Sequence, residues 1–243
     1  MATRSAAESH TRETIVIDAT QGVARAGGHE VFIRANTRLL APPLVPEILL
    51  HLAEESLPIW RKTEEELGEM NVPPPYWAFA WAGGQALARY VIDNPVSVAG
   101  QSVLDLGCGS GLSGLAAVRA GAARVRAADI DAFALAAAAL NATANGMAIE
   151  TTAADLLAAP PDPAWTVVLV GDLFYERALA TLVETFIDRA QANGALVLVG
   201  DPQRSYFPKQ RFTAVAEYSV PVTRELEDSE IKRTSVWKLD RAG

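Results

Sequence analysis

Apolar and polar positions follow two periods along this chain, one of two residues and one near 3.6. Ser102 to Leu106 reads as a short buried strand, and Leu112 to Ala120 as a helix following a glycine-rich stretch. Arg124 to Asp129 reads as a second strand. Ala132 to Asn145 is an Ala-rich helix, ended by Asn145-Gly146. Ala148 to Thr152 reads as a third strand, and Trp165 to Val170 is a continuous apolar run, as expected for a strand covered on both faces. Arg177 to Ala190 has helical spacing and stops at Asn193-Gly194, before another strand at Ala195 to Val199. Phe212 to Tyr218 and Thr234 to Leu239 alternate like two further strands, with no helix between them. Strands alternating with helices predict a parallel sheet, and the closing pair predicts an antiparallel hairpin at one edge.

Upstream the pattern is mixed. Val31 to Arg34 predicts a short strand and Asn36 to Pro43 a loop. Pro46 to Glu55 predicts a helix with proline near its start, where a missing N–H costs little. Ile59 to Met70 predicts a second helix, Asn71 to Pro75 a break, and Trp81 to Val91 a third helix. The chain thus divides into a partly helical N-terminal extension, residues 1–75, and an α/β domain, residues 76–243.

Composition narrows the classes. The chain has 243 residues, half of them hydrophobic, enough for one sizeable core. No apolar run reaches the ~18 residues of a membrane span, so no membrane partner is expected. A net charge of −8 suits a basic protein or an amine better than a nucleic-acid backbone. The single cysteine, Cys108, excludes a disulfide framework and a zinc cluster and fits a reducing compartment. His10, His29 and His51 are scattered, so no metal is expected. Met1 to Arg12 holds Glu8 and no apolar stretch, unlike a secretory signal, while Arg4 and Arg12 among Ser and Thr give a weak transit-peptide pattern.

The chemistry concentrates at Val103-Leu104-Asp105-Leu106-Gly107-Cys108-Gly109-Ser110-Gly111. Glycines after a strand let the backbone turn sharply and let a ligand approach it closely. Gly109, Gly111 and Gly114 also spell a dinucleotide pattern. Asp105 argues against that ligand, because a carboxylate there would repel a pyrophosphate. S-adenosylmethionine has no phosphate and carries an ammonium and a sulfonium, which a carboxylate favours. Gly107, Gly109 and Gly111 are therefore candidate cofactor contacts. Asp129, about 20 residues past the glycines, stands where an acid accepts hydrogen bonds from ribose hydroxyls, with Ile130 beside it and Asp131 as the cap of the next helix. Asp155 could accept from an adenine amino group. Cys108 reads as a packing residue.

The second half of the site follows the fourth strand, in Gly171-Asp172-Leu173-Phe174-Tyr175. Ligands of open α/β sheets sit beyond the carboxyl ends of the strands, so Asp172 and Tyr175 would face the methyl donor. Methyl transfer to nitrogen requires positioning of a neutral amine, and a lysine must first lose a proton from a group of pKa near 10.4. Asp172 could hold and orient the ammonium, and Tyr175 could hydrogen-bond it or pack its face on the cation. The aromatic stretch Pro75-Tyr76-Trp77-Ala78-Phe79-Ala80-Trp81 suits a sulfonium, with Trp81 nearest the cofactor.

These residues resemble the electron transfer flavoprotein β-subunit lysine methyltransferases, including bacterial relatives often labelled ribosomal protein L11 methyltransferase-like. The resemblance runs from Phe32 to Trp237 and includes Pro75-Tyr76-Trp77-Ala78, Gly83-Gly84-Gln85-Ala86-Leu87, Asp129-Ile130-Asp131, Gly200-Asp201-Pro202 and Thr234-Ser235-Val236-Trp237. An acidic-x-x-aromatic motif after strand four marks the wider group, here Asp172 to Tyr175. The resemblance implies a Rossmann-like, seven-stranded class I methyltransferase sheet with helices on both faces. It also implies S-adenosylmethionine as donor, S-adenosylhomocysteine as product, and methylation of lysines near the recognition loop of the flavoprotein β subunit. A bacterial, cytoplasmic member is the expectation, or the mitochondrial matrix for a eukaryotic one. The alternatives are a methyltransferase of a ribosomal protein or small amine, and a non-catalytic adenosyl-ligand-binding module.

Overall fold

Alternate residues of the central strands serve two cores. Val103, Val125, Val167, Leu169 and Leu198 are buried on one side of the sheet, and Leu104, Val168, Val170, Val197 and Val199 on the other. Each such side chain contributes about 1.5–3 kcal/mol when fully removed from water, so both faces must be covered. A computed structural model describes residues 28–53, 74–222 and 230–240. The helix expected over Ile59 to Met70 lies outside them.

The described chain opens with α1 (Gly28–Asn36), β1 (Arg38–Leu40) and β2 (Leu50–Leu52). Then follow α2 (Ala82–Asp93), β3 (Ser102–Leu106), α3 (Leu112–Arg119), β4 (Arg124–Ala128), α4 (Ala132–Ala144) and β5 (Glu150–Thr152). The chain continues with β6 (Val167–Gly171), α5 (Arg177–Ala192), β7 (Leu196–Asp201), β8 (Phe212–Pro221) and β9 (Ile231–Leu239). The seven-stranded sheet has the order β5-β4-β3-β6-β7-β9-β8. Its first five strands are parallel, and β9 runs antiparallel to both β7 and β8. This is the class I methyltransferase sheet, with α2 and α3 packed on one face and α5 on the other.

Three expectations upstream are corrected. The segment Val31 to Arg34 is helical, inside α1, because Ile33 must reach the face of α4 where Phe133, Ala134 and Ala137 bury it. The predicted loop from Asn36 contains β1. The predicted helix over Pro46 to Glu55 contains instead turns and β2, whose Leu50 to Leu52 are all buried and pair with Arg38 to Leu40. A short apolar run does not by itself distinguish strand from helix.

Two asparagines, Asn141 of α4 and Asn145 that caps its C-terminus, fasten this hairpin to the core. Asn141 accepts from the His51 N–H at 2.7 Å and donates to the Ser110 carbonyl at 2.9 Å, so the hairpin and the glycine loop share one buried side chain. Asn145 exchanges hydrogen bonds with the backbone of Leu49.

Helix α2 crosses β7 backbone on backbone. A side chain at Gly200 would overlap the Gly83 carbonyl, and one at Gly83 would overlap the Gly200 carbonyl and the Asp172 carboxylate. Overpacking of this kind costs about 1–3 kcal/mol or more. Gly200→Ala is expected to lower the melting temperature by about 3 °C or more, and a thermal melt unchanged from wild type would contradict this backbone contact.

Candidate functional site

The chain leaves β3 for β4 on one side of the sheet and later returns to β6 on the other, so the order reverses beside β3. Open α/β sheets bind ligands at such a point, beyond the carboxyl ends of the strands. A cavity of about 500 Å³ lies there. Its walls include Leu106 at the end of β3 and Gly107 after it, Asp129 and Ile130 after β4, and Asp172 and Tyr175 after β6.

The glycine loop follows from left-handed backbone. Gly107, Gly109 and Gly111 have φ of 63°, 49° and 78°, values that disfavour any side chain. They serve different ends. A Cβ at Gly111 would press on Ala138 of α4, so this glycine permits close helix packing. A Cβ at Gly109 would meet only the Trp77 Cα at 3.9 Å, so here the missing side chain leaves room for a ligand. Asp129 fixes the loop: one oxygen accepts from the Gly109 N–H at 2.9 Å and the other from the Asp131 N–H at 3.0 Å. Asp131 caps α4 by accepting from the Phe133 N–H at 2.8 Å, as expected. Ile130 is 76% exposed at the rim. Asp155 lines the cavity and accepts from the Leu157 N–H at 3.1 Å.

Two expected cofactor residues are not on the cavity wall. Gly111 faces α4. Asp105 is buried and accepts from the Gly114 N–H at 2.8 Å, so it braces the start of α3 behind the loop. Burial, and then the nearby Asp129, push the Asp105 carboxyl up to about 7, against the Gly114 hydrogen bond. The folded protein thus holds this proton more tightly than the unfolded chain, whose reference lies near 3.9. Stability from Asp105 is complete below about pH 4 and is lost as pH rises to about 7. Asp105→Asn keeps an acceptor for Gly114 and removes the titration. Its melting temperature should gain on wild type as pH rises through that window, and parallel curves would contradict the assignment. Burial also raises the Cys108 thiol well above its ordinary value, which suits packing and not a nucleophile.

Asp172 differs most from expectation. The sequence suggests a carboxylate open to an incoming ammonium. In the structure one oxygen accepts from the Gly84 N–H at 2.9 Å, in the first turn of α2, where backbone donors lack helical partners. The other accepts from Arg204, at 2.9 Å from Nε and 2.6 Å from Nη2. Asp172 takes φ of 57°, unusual for a residue with a side chain, and its N–H donates to the Gly200 carbonyl at 3.0 Å. The helix terminus and the guanidinium together hold it as an anion.

Aromatic rings close the same end. Tyr76 lies 6.0 Å from both Trp81 and Tyr175, and Trp81 Nε1 donates to the Tyr76 carbonyl at 2.8 Å. Burial raises the half-exposed Tyr175 phenol, with Tyr76, Glu176 and Asp129 adding to it, so it stays protonated and able to donate. Trp77 lines the cavity, and its Nε1 is buried without a partner among the described residues. Sequence reasoning missed Arg204, which is the one basic side chain among the described lining residues.

A family model for ribosomal protein L11 methyltransferases matches residues 86–201. The electron transfer flavoprotein β subunit lysine methyltransferase of Xenopus laevis is 36% identical over 217 residues, spanning 86% of this chain and 86% of the relative. The chain belongs to the electron transfer flavoprotein β subunit lysine methyltransferase family. The Danio rerio relative is 36% identical over 86% of this chain and 82% of its own, and the human relative 34% over 86% and 80%. A solved ribosomal protein L11 methylase from Lactobacillus delbrueckii subsp. bulgaricus shares 21% identity, with a TM-score of 0.46 over 65% of this chain and 78% of its own. Membership makes the protein an S-adenosylmethionine-dependent methyltransferase. Its cavity fits that cofactor: acidic side chains suit a cationic donor, and Gly109 leaves open space beside Asp129. No group of three or more His, Cys, Asp or Glu among the described residues could hold a metal. No helix among them is long and apolar enough to cross a membrane.

Proposed function

We propose that the cavity beyond β3, β4 and β6 is the methyl-donor site, and that its Asp172 end receives a lysine of the electron transfer flavoprotein β subunit. The observation that carries this reading is the cavity's charge: among the described residues Asp129, Asp131, Asp155 and Asp172 line it, against one basic group, Arg204, paired with Asp172. That setting suits a cationic donor and a cationic acceptor, and disfavours phosphates. The relatives' printed names supply the acceptor.

The cofactor supplies a methyl group on a sulfonium, ready for direct displacement. The protein's own residues do the rest. Asp129 holds the ribose hydroxyls while fixing the Gly109 turn, with Gly107 at its side. Ile130 would flank the adenine, and Asp155 would accept from its amino group. Asp105 and Gly111 act behind the loop, the first through Gly114 and the second through α4. Trp81 would flank the sulfonium. Asp172 orients the acceptor nitrogen by accepting one of its N–H groups, Tyr175 closes the seat, and the rings exclude water. A reducing compartment, such as the bacterial cytoplasm, suits the single free thiol of Cys108.

Labelled cofactor, this protein and purified flavoprotein from the same source test the acceptor, with labelled sites mapped by mass spectrometry. Label on lysines of the β subunit is expected. Label confined to a ribosomal protein, the second reading that the matching family model favours, would overturn it.

A further inference from the structure

Arg204 is built into the acceptor end of the cavity, and no role has yet been given to it. It lies in the turn after β7, where Asp201 accepts from its N–H at 2.7 Å and Gln203 takes φ of 66°. Its guanidinium grips one oxygen of Asp172 with Nε and Nη2 and lies 5.7 Å over the Trp81 ring. Its side chain is 19% exposed, and it reaches the cavity wall. The backbone anchor, the ion pair and the ring fix it from three directions.

A bare carboxylate at this seat would work against the reaction. An opposite charge within about 4–6 Å stabilises an ammonium and raises its pKa by about 1–3 units. A lysine near 10.4 is already almost wholly protonated at about pH 7.5, so each added unit removes about nine-tenths of the remaining neutral amine. Only the neutral amine has the lone pair that attacks carbon.

We propose that Arg204 is a positioning residue that sets the charge of the acceptor seat: paired with Asp172 against Trp81, it lets the lysine react as a neutral amine instead of being held as an ammonium ion pair. The ammonium releases one proton to water, and Asp172 then accepts an N–H of the neutral amine and aims its lone pair. A guanidinium suits the task because it keeps its charge throughout. Asp201, behind Arg204, is the other carboxyl near it: burial, and then the neighbouring Asp172, raise its carboxyl to about 7, so it is ionised in the range of the test and has to be separated there by substitution. Tyr175, Tyr76 and Asp129 line the same cavity.

The inference rests on the reading of this cavity as the transfer site, and its test separates the two. Arg204→Gln takes the guanidinium away from Asp172 while the Gly84 N–H stays in place. With the flavoprotein as acceptor, kcat of Arg204→Gln should fall at least about tenfold at about pH 7.5 and recover at alkaline pH, its profile moving up by about one unit or more. The Kd for the flavoprotein, measured with S-adenosylhomocysteine present, should be lower than wild type, because the carboxylate without its guanidinium grips the ammonium more tightly. Arg204→Lys keeps the charge and should restore a wild-type pH profile at reduced rate. The shift should persist with Asp201→Asn, which removes the other titrating carboxyl. A uniform rate loss with an unmoved profile, or an unchanged or higher Kd in Arg204→Gln, would overturn the proposal. Wild type that places no label on the flavoprotein, or an Asp129→Ala variant with undiminished cofactor affinity, would instead overturn the reading beneath it.

Discussion

Asp172→Ala is expected to retain cofactor binding while turnover falls by about 100-fold or more, the scale of loss when a reacting group is misplaced by about 1 Å. The alanine removes the acceptor for the incoming amine, and it does more. The Gly84 N–H loses its partner at 2.9 Å, and Arg204 loses contacts of 2.9 and 2.6 Å. Each buried group left unpaired costs about 1–3 kcal/mol, so Asp172→Ala should also melt at a lower temperature. Asp172→Asn separates the two effects. It keeps oxygen and nitrogen at the same positions without the charge, and should recover part of the stability while turnover stays low. Single-turnover kinetics beside a calorimetric titration of S-adenosylhomocysteine read both quantities. Near-normal turnover in either variant would take Asp172 out of the transfer step.

Asp129→Ala should act on the other half of the cavity. It deletes the acceptor proposed for the ribose and releases the Gly109 and Asp131 N–H groups that the carboxylate holds at 2.9 and 3.0 Å. A hydrogen bond to a charged group contributes about 1.5–3 kcal/mol, and 1.4 kcal/mol is a factor of ten in affinity. The Kd for S-adenosylhomocysteine should therefore rise by about 10–100-fold, with a smaller change in the acceptor-dependent steps. An unchanged Kd by calorimetry would mean that the ribose does not meet Asp129.

The two predictions draw on parts of the chain that were unequally legible. β3 begins and ends at the residues the apolar pattern gives, Ser102 and Leu106, because glycine chemistry follows it at once. The Asp131 cap and the Asn145-Gly146 stop likewise carry local signals. Before residue 76 the one such signal misleads: Pro46, which suits a helix start, lies in a turn ahead of β2. Val31-Phe32-Ile33 has strand-forming side chains, yet it is helical because only a helix lays Ile33 on α4. Leu50 to Leu52 belong to a strand through pairing with Arg38 to Leu40, a contact that periodicity does not encode.

The site divides in the same way. Asp129, Gly109, Asp172 and Tyr175 fall on the cavity wall because strand ends determine where they point. Asp105 lies among the same residues and yet turns inward to Gly114, since the period-two alternation of β3 assigns it to the α3 face. Arg204 reaches Asp172 across 32 positions of sequence. Its signal was the end of β7 and the turn that follows, Gly200-Asp201-Pro202, where a buried aspartate accepts from the Arg204 N–H and aims the side chain back over the sheet. A charged residue just past a strand end, in a turn anchored by such an aspartate, is the pattern to look for.

The most direct test of the central claim is a crystal structure of the protein grown with S-adenosylhomocysteine. The account predicts the ligand in the cavity beyond β3, β4 and β6, its ribose hydroxyls on Asp129, its adenine beside Ile130 and Asp155, and its sulfur turned toward the Asp172, Tyr175 and Trp81 end. Ligand bound elsewhere, or bound in this cavity with its sulfur directed away from Asp172, would contradict it.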